Sequence, residues 1–108
     1  MAKYLFQASY TTEGLKGLFK DGGTKRREAL QSAVAQLGGS LESIYYAFGQ
    51  DDVFSVVSLP DNVSAASVAL TIGASGTANV KRVVLMTPEE IDDATKKKIE
   101  FRPSGQSM

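Results

Sequence analysis

The chain predicts an α+β fold of the ferredoxin-like type, with the element order β-α-β-β-α-β and one further helix at the end. Three observations lead to this prediction. Four segments have the apolar patterns of strands, the second and third are joined by a short turn, and the other two connections are long enough for helices. A length of 108 residues corresponds to one domain.

The first strand is predicted over residues 3–10, where the side chains alternate between two faces. Thr11 follows as a hydroxyl residue suited to cap a helix. Apolar residues then recur at helical spacing on both sides of Gly22-Gly23, and adjacent glycines favour a break or sharp kink there. The second helical piece is predicted to begin at Lys25 and to end at Gly38-Gly39.

The middle of the chain predicts a hairpin followed by a helix and a strand. Residues 41–48 and 53–59 are rich in β-branched and aromatic residues, and the four residues between them favour a turn. Small residues dominate 63–74, which predicts a helix that lies close to the sheet. Residues 80–86 form the fourth predicted strand.

A last helix is predicted from Pro88 to Ile99. Thr87 supplies a hydroxyl cap, Pro88 suits the first helical position, and Glu90 completes a capping box. Residues 102–108 have the composition of a loose tail. We therefore divide the chain into a domain over 1–92 and, over 93–108, the end of the last helix with a flexible tail.

The third and fourth strands are apolar on both faces. Val53, Val57 and Leu59 oppose Phe54 and Val56 in the third strand. An antiparallel sheet with one face in water alternates apolar and polar residues, and two helices cover one face only. The pattern therefore predicts that a second copy covers the other face, making the protein a homodimer or a multiple of it.

The composition excludes several classes of function. Twelve Lys and Arg balance twelve Asp and Glu, so the strong positive charge that favours nucleic acids or anionic membranes is missing. The chain has no Cys and no His, which excludes zinc–sulfur sites, thiolate nucleophiles and the usual acid/base residue of enzymes. No signal-peptide pattern or long apolar run occurs, so we expect a cytoplasmic protein without a metal or cofactor.

Several short runs together resemble the GYD-domain family over roughly residues 3 to 92. The most distinctive run is Asp21-Gly22-Gly23-Thr24-Lys25-Arg26-Arg27, and weaker ones are Tyr4-Leu5-Phe6, Ser9-Tyr10-Thr11, Glu13-Gly14, Gly17-Leu18 and Leu59-Pro60-Asp61-Asn62. The resemblance implies small bacterial proteins that pair as dimeric α/β barrels. It implies an assembly and no particular reaction.

The chain departs from this family at the predicted hairpin. The Gly-Tyr-Asp signature should fall there, but the sequence has Gly49-Gln50-Asp51-Asp52. Asp51 stands where the tyrosine is expected, and Asp52 matches the acid. A role of the family's tyrosine is therefore not transferred to this chain.

Six residues are candidates for ligand binding. Lys25 and Arg26 follow two glycines at a helix start and suit a phosphate or carboxylate, although charge runs on helices are commonly solvated. Asp51 and Asp52 offer carboxylates, but two acids at a hairpin tip commonly serve the turn. Tyr10 and Tyr46 suit the wall of an aromatic pocket, although strand aromatics commonly pack in cores or interfaces. Tyr45 and Tyr46 must point in opposite directions.

Two functions remain open on these grounds. The first is a non-catalytic homodimeric module that binds a small ligand, either neutral or anionic. The second is a cofactor-independent oxygenase or isomerase acting on a small aromatic substrate. RNA binding through a shared strand order is rejected, because such proteins carry a basic, aromatic third strand and here Asp51-Asp52 precede a strand with one aromatic, Phe54.

Overall fold

The computed structural model describes residues 1–105 and contains one antiparallel sheet of four strands. The elements are β1 (Ala2–Tyr10), α1 (Thr12–Ala35), β2 (Ser40–Tyr46), β3 (Val53–Leu59), α2 (Asn62–Ala74), β4 (Ala78–Leu85) and α3 (Pro88–Lys96). The strands lie side by side in the order β2-β3-β1-β4. This arrangement confirms the predicted α+β, ferredoxin-like fold.

The core lies between one face of the sheet and the helices α1 and α2. Alternate residues of the two central strands point into it, and the helices contribute small and branched side chains. The buried members are Tyr4, Phe6, Val57, Leu59, Val34, Ala65 and Val68. The buried Tyr4 hydroxyl donates a hydrogen bond to Oδ1 of Asn62 at 2.7 Å, so the core contains this polar atom with a partner.

Helix α1 is kinked at Gly22, as the sequence predicts. Gly22 has φ 80° and ψ 169°, a conformation that essentially only glycine adopts, and it divides α1 into two helical pieces. The first piece contributes little to the core, because Leu15 and Phe19 are exposed, the latter to 91%. The second piece packs Val34 fully into the core.

The start of α1 is attached to the loop between α2 and β4. The Thr11 backbone N–H donates to the Thr77 carbonyl at 3.0 Å. The Thr11 hydroxyl donates to the Gly76 carbonyl at 2.6 Å and accepts from the Gly14 N–H at 3.2 Å. These bonds fix the end of β1 and the beginning of α1 beside one end of the sheet.

The face of the sheet opposite the helices, here called the open face, is apolar at its centre. Leu5 on β1 pairs with Val56 on β3 and Val83 on β4, and Tyr45 on β2 pairs with Phe54. Tyr45 is 72% exposed. Its neighbour Tyr46 faces the helices, as the alternation predicts. No part of residues 1–105 forms a layer over this face.

Two polar clusters flank the apolar centre of the open face. At one end Lys3 pairs with Glu42 at 2.8 Å, and the Ser58 hydroxyl donates to Glu42 at 2.9 Å. At the other end Lys81 pairs with Asp51 at 3.4 Å. Lys3 and Lys81 therefore each have a carboxylate partner within the open face.

Helix α3 is capped, and none of its residues is buried by other parts of residues 1–105. Thr87 and Glu90 form a reciprocal capping box, with Pro88 in the first turn. The longest axis of the molecule measures 60 Å. The helix ends at Lys96, three residues before the predicted Ile99, since no packing supports the last turn.

The predicted boundary after residue 92 falls inside α3, and residues 106–108 of the predicted tail lie outside the described residues. Among the helices found in residues 1–105, none has the length and apolar character needed to cross a membrane.

Candidate functional site

A cavity of about 180 Å³ lies between the helices and the sheet. Strands β1, β2, β3 and β4 form its floor, and α1 and α2 form its roof. Its walls are mostly apolar and include Phe6, Ala33, Ile44, Val53, Ile72 and Val80. The cavity therefore favours an apolar body of small size.

Polar groups collect at one end of this cavity. Tyr10, at the end of β1, and Tyr46, at the end of β2, face Arg26 of α1 there, with Thr77 beside them. Tyr46 is 41% exposed, whereas Phe6 at the inner end is 3% exposed. The end with the two tyrosines and the arginine is therefore the mouth of the cavity.

One hydroxyl lies deeper in the cavity. Ser55 pairs with Phe6 in the sheet register, faces the helices and is 3% exposed. It lines the cavity and interrupts an otherwise apolar strand surface. The inner end of the cavity therefore offers a hydroxyl that can form a hydrogen bond with one polar atom of a ligand, and further polar groups lie at the mouth.

Tyr46 is held at the mouth by the kink of α1. Its hydroxyl donates to the Gly23 carbonyl at 3.3 Å. A Cβ atom on Gly23 would lie 3.2 Å from the Tyr46 ring, so the close approach of ring and helix depends on this glycine. The kink that the Gly22-Gly23 pair predicts therefore shapes the site.

The Tyr46 phenol remains neutral at ordinary pH. Burial raises the pKa of Tyr46 to about 12, and the neighbouring Tyr10 side chain adds to this effect. The positive charges of Arg26 and Arg27 act in the opposite direction and are outweighed. Tyr46 is therefore a hydrogen-bond donor at the mouth rather than a base.

Arg26 supplies the positive charge at the mouth. It forms an ion pair with Asp21 at 3.7 Å, across the kink. About a third of its side chain is exposed, so it is accessible to a ligand. Its neighbour Lys25 is exposed and does not line the cavity. Of the predicted cationic pair, the structure brings Arg26 alone to the cavity.

Asp52 lies beside Tyr10 and forms hydrogen bonds with neighbouring backbone groups. Its Oδ2 accepts from the Tyr10 N–H at 2.8 Å. Its own N–H donates to the Ala8 carbonyl, and its carbonyl accepts from the Ala47 N–H, both at 2.8 Å. Asp52 therefore ties the hairpin to the end of β1 and positions Tyr10. It lines a shallow recess beside the cavity with Tyr10 and Tyr46.

Asp51 faces the other side of the sheet. The Ser9 hydroxyl donates to its Oδ1 at 2.9 Å, and Lys81 lies 3.4 Å away. Its side chain is 9% exposed. The adjacent acids of the hairpin thus serve opposite faces, and within residues 1–105 no cluster of three or more metal-binding side chains occurs.

The six candidates therefore separate into three groups. Tyr10, Arg26 and Tyr46 converge at the cavity, Asp52 supports Tyr10, and Lys25 and Asp51 lie elsewhere. The sequence reasoning omitted Asp21, Ser55 and Thr77. Ser55 could have been found from the sequence, since a serine interrupts the otherwise apolar helix-facing side of β3. No sequence pattern indicated Thr77, because only the folded loop brings it to the cavity.

The arrangement is suited to binding a hydrogen-bond acceptor. It offers a phenol donor, a guanidinium and a buried hydroxyl around apolar walls. The sequence has no His or Cys, and Tyr46 is neutral, so neither an imidazole, nor a thiolate, nor the Tyr46 phenolate supplies a base at the mouth.

Comparison with known proteins finds a matching family model. No curated protein and no solved structure matches the chain significantly. The family model of the GYD domain matches residues 4–95, which covers the sheet except the first two residues of β1, and α3 except Lys96. The chain therefore belongs to the GYD domain family.

Proposed function

We propose that this protein is a homodimeric, non-catalytic module that binds a small ligand in the cavity between helices and sheet. One observation carries the proposal: Tyr10, Arg26 and Tyr46 converge at the mouth of an otherwise apolar cavity. This combination of apolar walls and a few convergent polar groups is typical of small-molecule sites.

The chemistry of the cavity defines the class of ligand. Its volume of about 180 Å³ is below the several hundred Å³ of sites for drug-sized molecules, so a body of about one ring fits. Arg26 favours a carboxylate or another anionic group. Tyr46, whose hydroxyl donates to the Gly23 carbonyl, stays neutral and adds no charge that would repel such a group. We therefore assign a small, mostly apolar molecule that bears a carboxylate.

Benzoate and toluene are suitable probes, because they share a ring and differ in the carboxylate. The experiment measures the shift in melting temperature with each probe for wild type, Arg26→Gln and Lys25→Gln. We expect benzoate to stabilise wild type and Lys25→Gln, and Arg26→Gln to lose about tenfold in benzoate affinity with toluene unaffected. Equal benzoate affinity for Arg26→Gln and Lys25→Gln contradicts the role of Arg26.

Filling the cavity provides a second test of the location. Ala33→Leu adds bulk inside the cavity, whereas Ala35→Leu adds the same bulk on an exposed position of the same helix. Binding of both probes should be lost in Ala33→Leu and kept in Ala35→Leu. Binding that survives equally in both variants places the ligand elsewhere.

The open face supports the homodimer. Its apolar centre extends over all four strands, and monomers rarely expose apolar patches beyond a few hundred Å². The charges of Lys3 and Lys81 are paired with carboxylates inside the face, so stacking it on a copy does not bury a lone charge. A two-fold pair is the commonest closed arrangement.

The cofactor-independent enzyme is the second candidate. Two phenols and Arg26 in one cavity favour it, since such groups can hold an aromatic substrate. The carboxylate of Asp52 accepts from the Tyr10 N–H through Oδ2 and lines the recess beside the cavity rather than the cavity itself. Consumption of oxygen or isomerisation of a phenolic compound by purified protein, abolished in Tyr46→Phe, would favour the enzyme over the binding module.

A further inference from the structure

Residues 87–101, here called the C-terminal arm, have no side chain that other parts of residues 1–105 bury. All residues of α3 are exposed, and so are the apolar Ile99 and Phe101 beyond it, at 86% and 75%. A nine-residue helix is marginal in water even with good caps, so packing against another surface is expected to stabilise it.

A groove on the other edge of the sheet has matching properties. This edge groove lies between α1 and β2 and is lined by Gly23, Thr24, Arg27, Ile44, Tyr45 and Tyr46. Strand β2 is an edge strand, so its outer side has no neighbouring strand within residues 1–105. Tyr45 belongs to both the groove and the open face, which makes the two surfaces continuous.

The charges of the two surfaces are complementary. The first turns of α3 carry Glu89, Asp92 and Asp93, which are exposed, besides the capping Glu90. Arg27 in the edge groove is exposed, and no carboxylate within residues 1–105 lies at ion-pair distance from it. The arm also offers Ile91 to the exposed rings of Tyr45 and Tyr46.

The sheet topology allows arm and groove to meet in a pair of copies. Strands β2 and β4 form the two edges of the sheet and run in opposite directions. When two open faces stack about a two-fold axis along the strands, β4 of one copy lies beside β2 of the other, antiparallel. The arm begins two residues after β4, and α3 spans about 14 Å, enough to lie along the groove.

We propose that the C-terminal arm of each copy docks in the edge groove of a second copy of this chain. The inference rests on the proposed homodimer. Each arm would close the seam between the two stacked sheets and cover the apolar rings at the edge of β2.

The absence of cysteine allows a direct test by disulfide cross-linking. Ile91→Cys places a thiol on the arm, and Thr24→Cys places one in the edge groove. Because each chain carries one thiol, a mixture of the two variants forms the Ile91→Cys–Thr24→Cys product only between chains. The control mixture combines Ile91→Cys with Ser67→Cys, which lies exposed on α2.

Docking predicts that the mixed product with Thr24→Cys forms at least about tenfold faster than the product with Ser67→Cys. Adding Arg27→Glu to the Thr24→Cys chain should slow the reaction, whereas Lys20→Glu, the same charge change on an exposed position of α1 outside the groove, should not. Mass spectrometry of the non-reduced products measures both effects.

Light scattering on the same samples separates the two proposals. A dimer whose Thr24→Cys product forms no faster than the control overturns the docked arm and leaves the homodimer in place. A monomer for wild type and variants at micromolar concentration overturns both. If Arg27→Glu and Lys20→Glu slow the cross-linking equally, an ion pair between Arg27 and the acidic residues of α3 is contradicted.

Discussion

At the scale of single residues, the mouth of the cavity depends on the protonation of one phenol. Tyr46 is neutral because burial and the nearby Tyr10 oppose the phenolate more than Arg26 and Arg27 favour it. A neutral phenol leaves the positive charge of Arg26 available to a ligand carboxylate, whereas a phenolate would repel that carboxylate. The site should therefore bind a carboxylate over the whole neutral range of pH.

The titration of Tyr46 gives the first prediction at this scale. Its folded pKa of about 12 lies above the ordinary 10.0, so the folded state holds its proton more tightly than the unfolded chain. The stabilising effect is complete below about pH 10 and is lost as the pH rises to about 12. Ultraviolet absorbance of the phenolate should show the titration of Tyr46 near pH 12.

Tyr46→Phe is the matched control for this titration. It should lower the amplitude of the absorbance change near pH 12 by the contribution of one phenol. An undiminished amplitude in Tyr46→Phe contradicts the raised pKa of Tyr46 and the description of the mouth.

At the scale of elements, α1 is fixed by its first turn as much as by its core face. Gly14 is buried, and a Cβ atom there would overlap the Thr77 carbonyl oxygen and approach the Tyr10 ring. The start of the helix therefore lies against the α2–β4 loop only because residue 14 lacks a side chain.

Gly14→Ala should lower the free energy of unfolding by about 2–3 kcal/mol, because the backbone must shift to remove the overlap. Gly17→Ala is the matched control, since its Cβ would meet nothing within 4 Å. That change should be neutral or stabilise by up to about 1 kcal/mol, as alanine favours helices. Urea denaturation measures both, and equal effects would refute the close contact.

Most of the helices and strands can be predicted from the sequence alone. Alternation predicts β1, and runs of apolar, β-branched or aromatic residues predict the other three strands. The third strand, β3, is predicted at its observed bounds, 53–59. The Gly22-Gly23 pair predicts the kink, because adjacent glycines lack helix propensity. The exposure of Phe19 could not be predicted, since periodicity shows which residues share a face but not whether another element covers it.

The candidate site was predictable in part for the same reason. Alternation along β1 and β2 directs Tyr10 and Tyr46 to defined faces, but their meeting with Arg26 depends on the angle at the kink. The adjacent acids Asp51 and Asp52 look equivalent in sequence. The hairpin separates them onto opposite faces, and only the pairing of Asp51 with Lys81 and of Asp52 with the Tyr10 N–H reveals their different roles.

At the scale of the whole molecule, the open face makes the strongest prediction. Val56 lies at its centre, paired with Leu5, and points away from the core. Val56→Lys should leave the fold of each copy intact and convert a dimer to a monomer, because a buried unpaired ammonium costs several kcal/mol. Leu70→Lys on the exposed side of α2 is the control.

Light scattering and circular dichroism together test this prediction. Wild type and Leu70→Lys should have twice the mass of the 11.5 kDa chain, or a multiple of that pair, and Val56→Lys the single mass with unchanged secondary structure. A wild-type monomer, or a Val56→Lys protein of undiminished mass, contradicts assembly through the open face.

The internally paired charges of the open face also govern how fast two copies find each other. Lys3 with Glu42 and Lys81 with Asp51 leave this face without a net field, and the chain as a whole has a formal charge of zero. Encounter then proceeds without electrostatic steering, at the roughly 10⁵–10⁶ M⁻¹s⁻¹ of neutral surfaces. Its rate should be nearly independent of salt, so assembly would proceed equally well over a wide range of ionic strength.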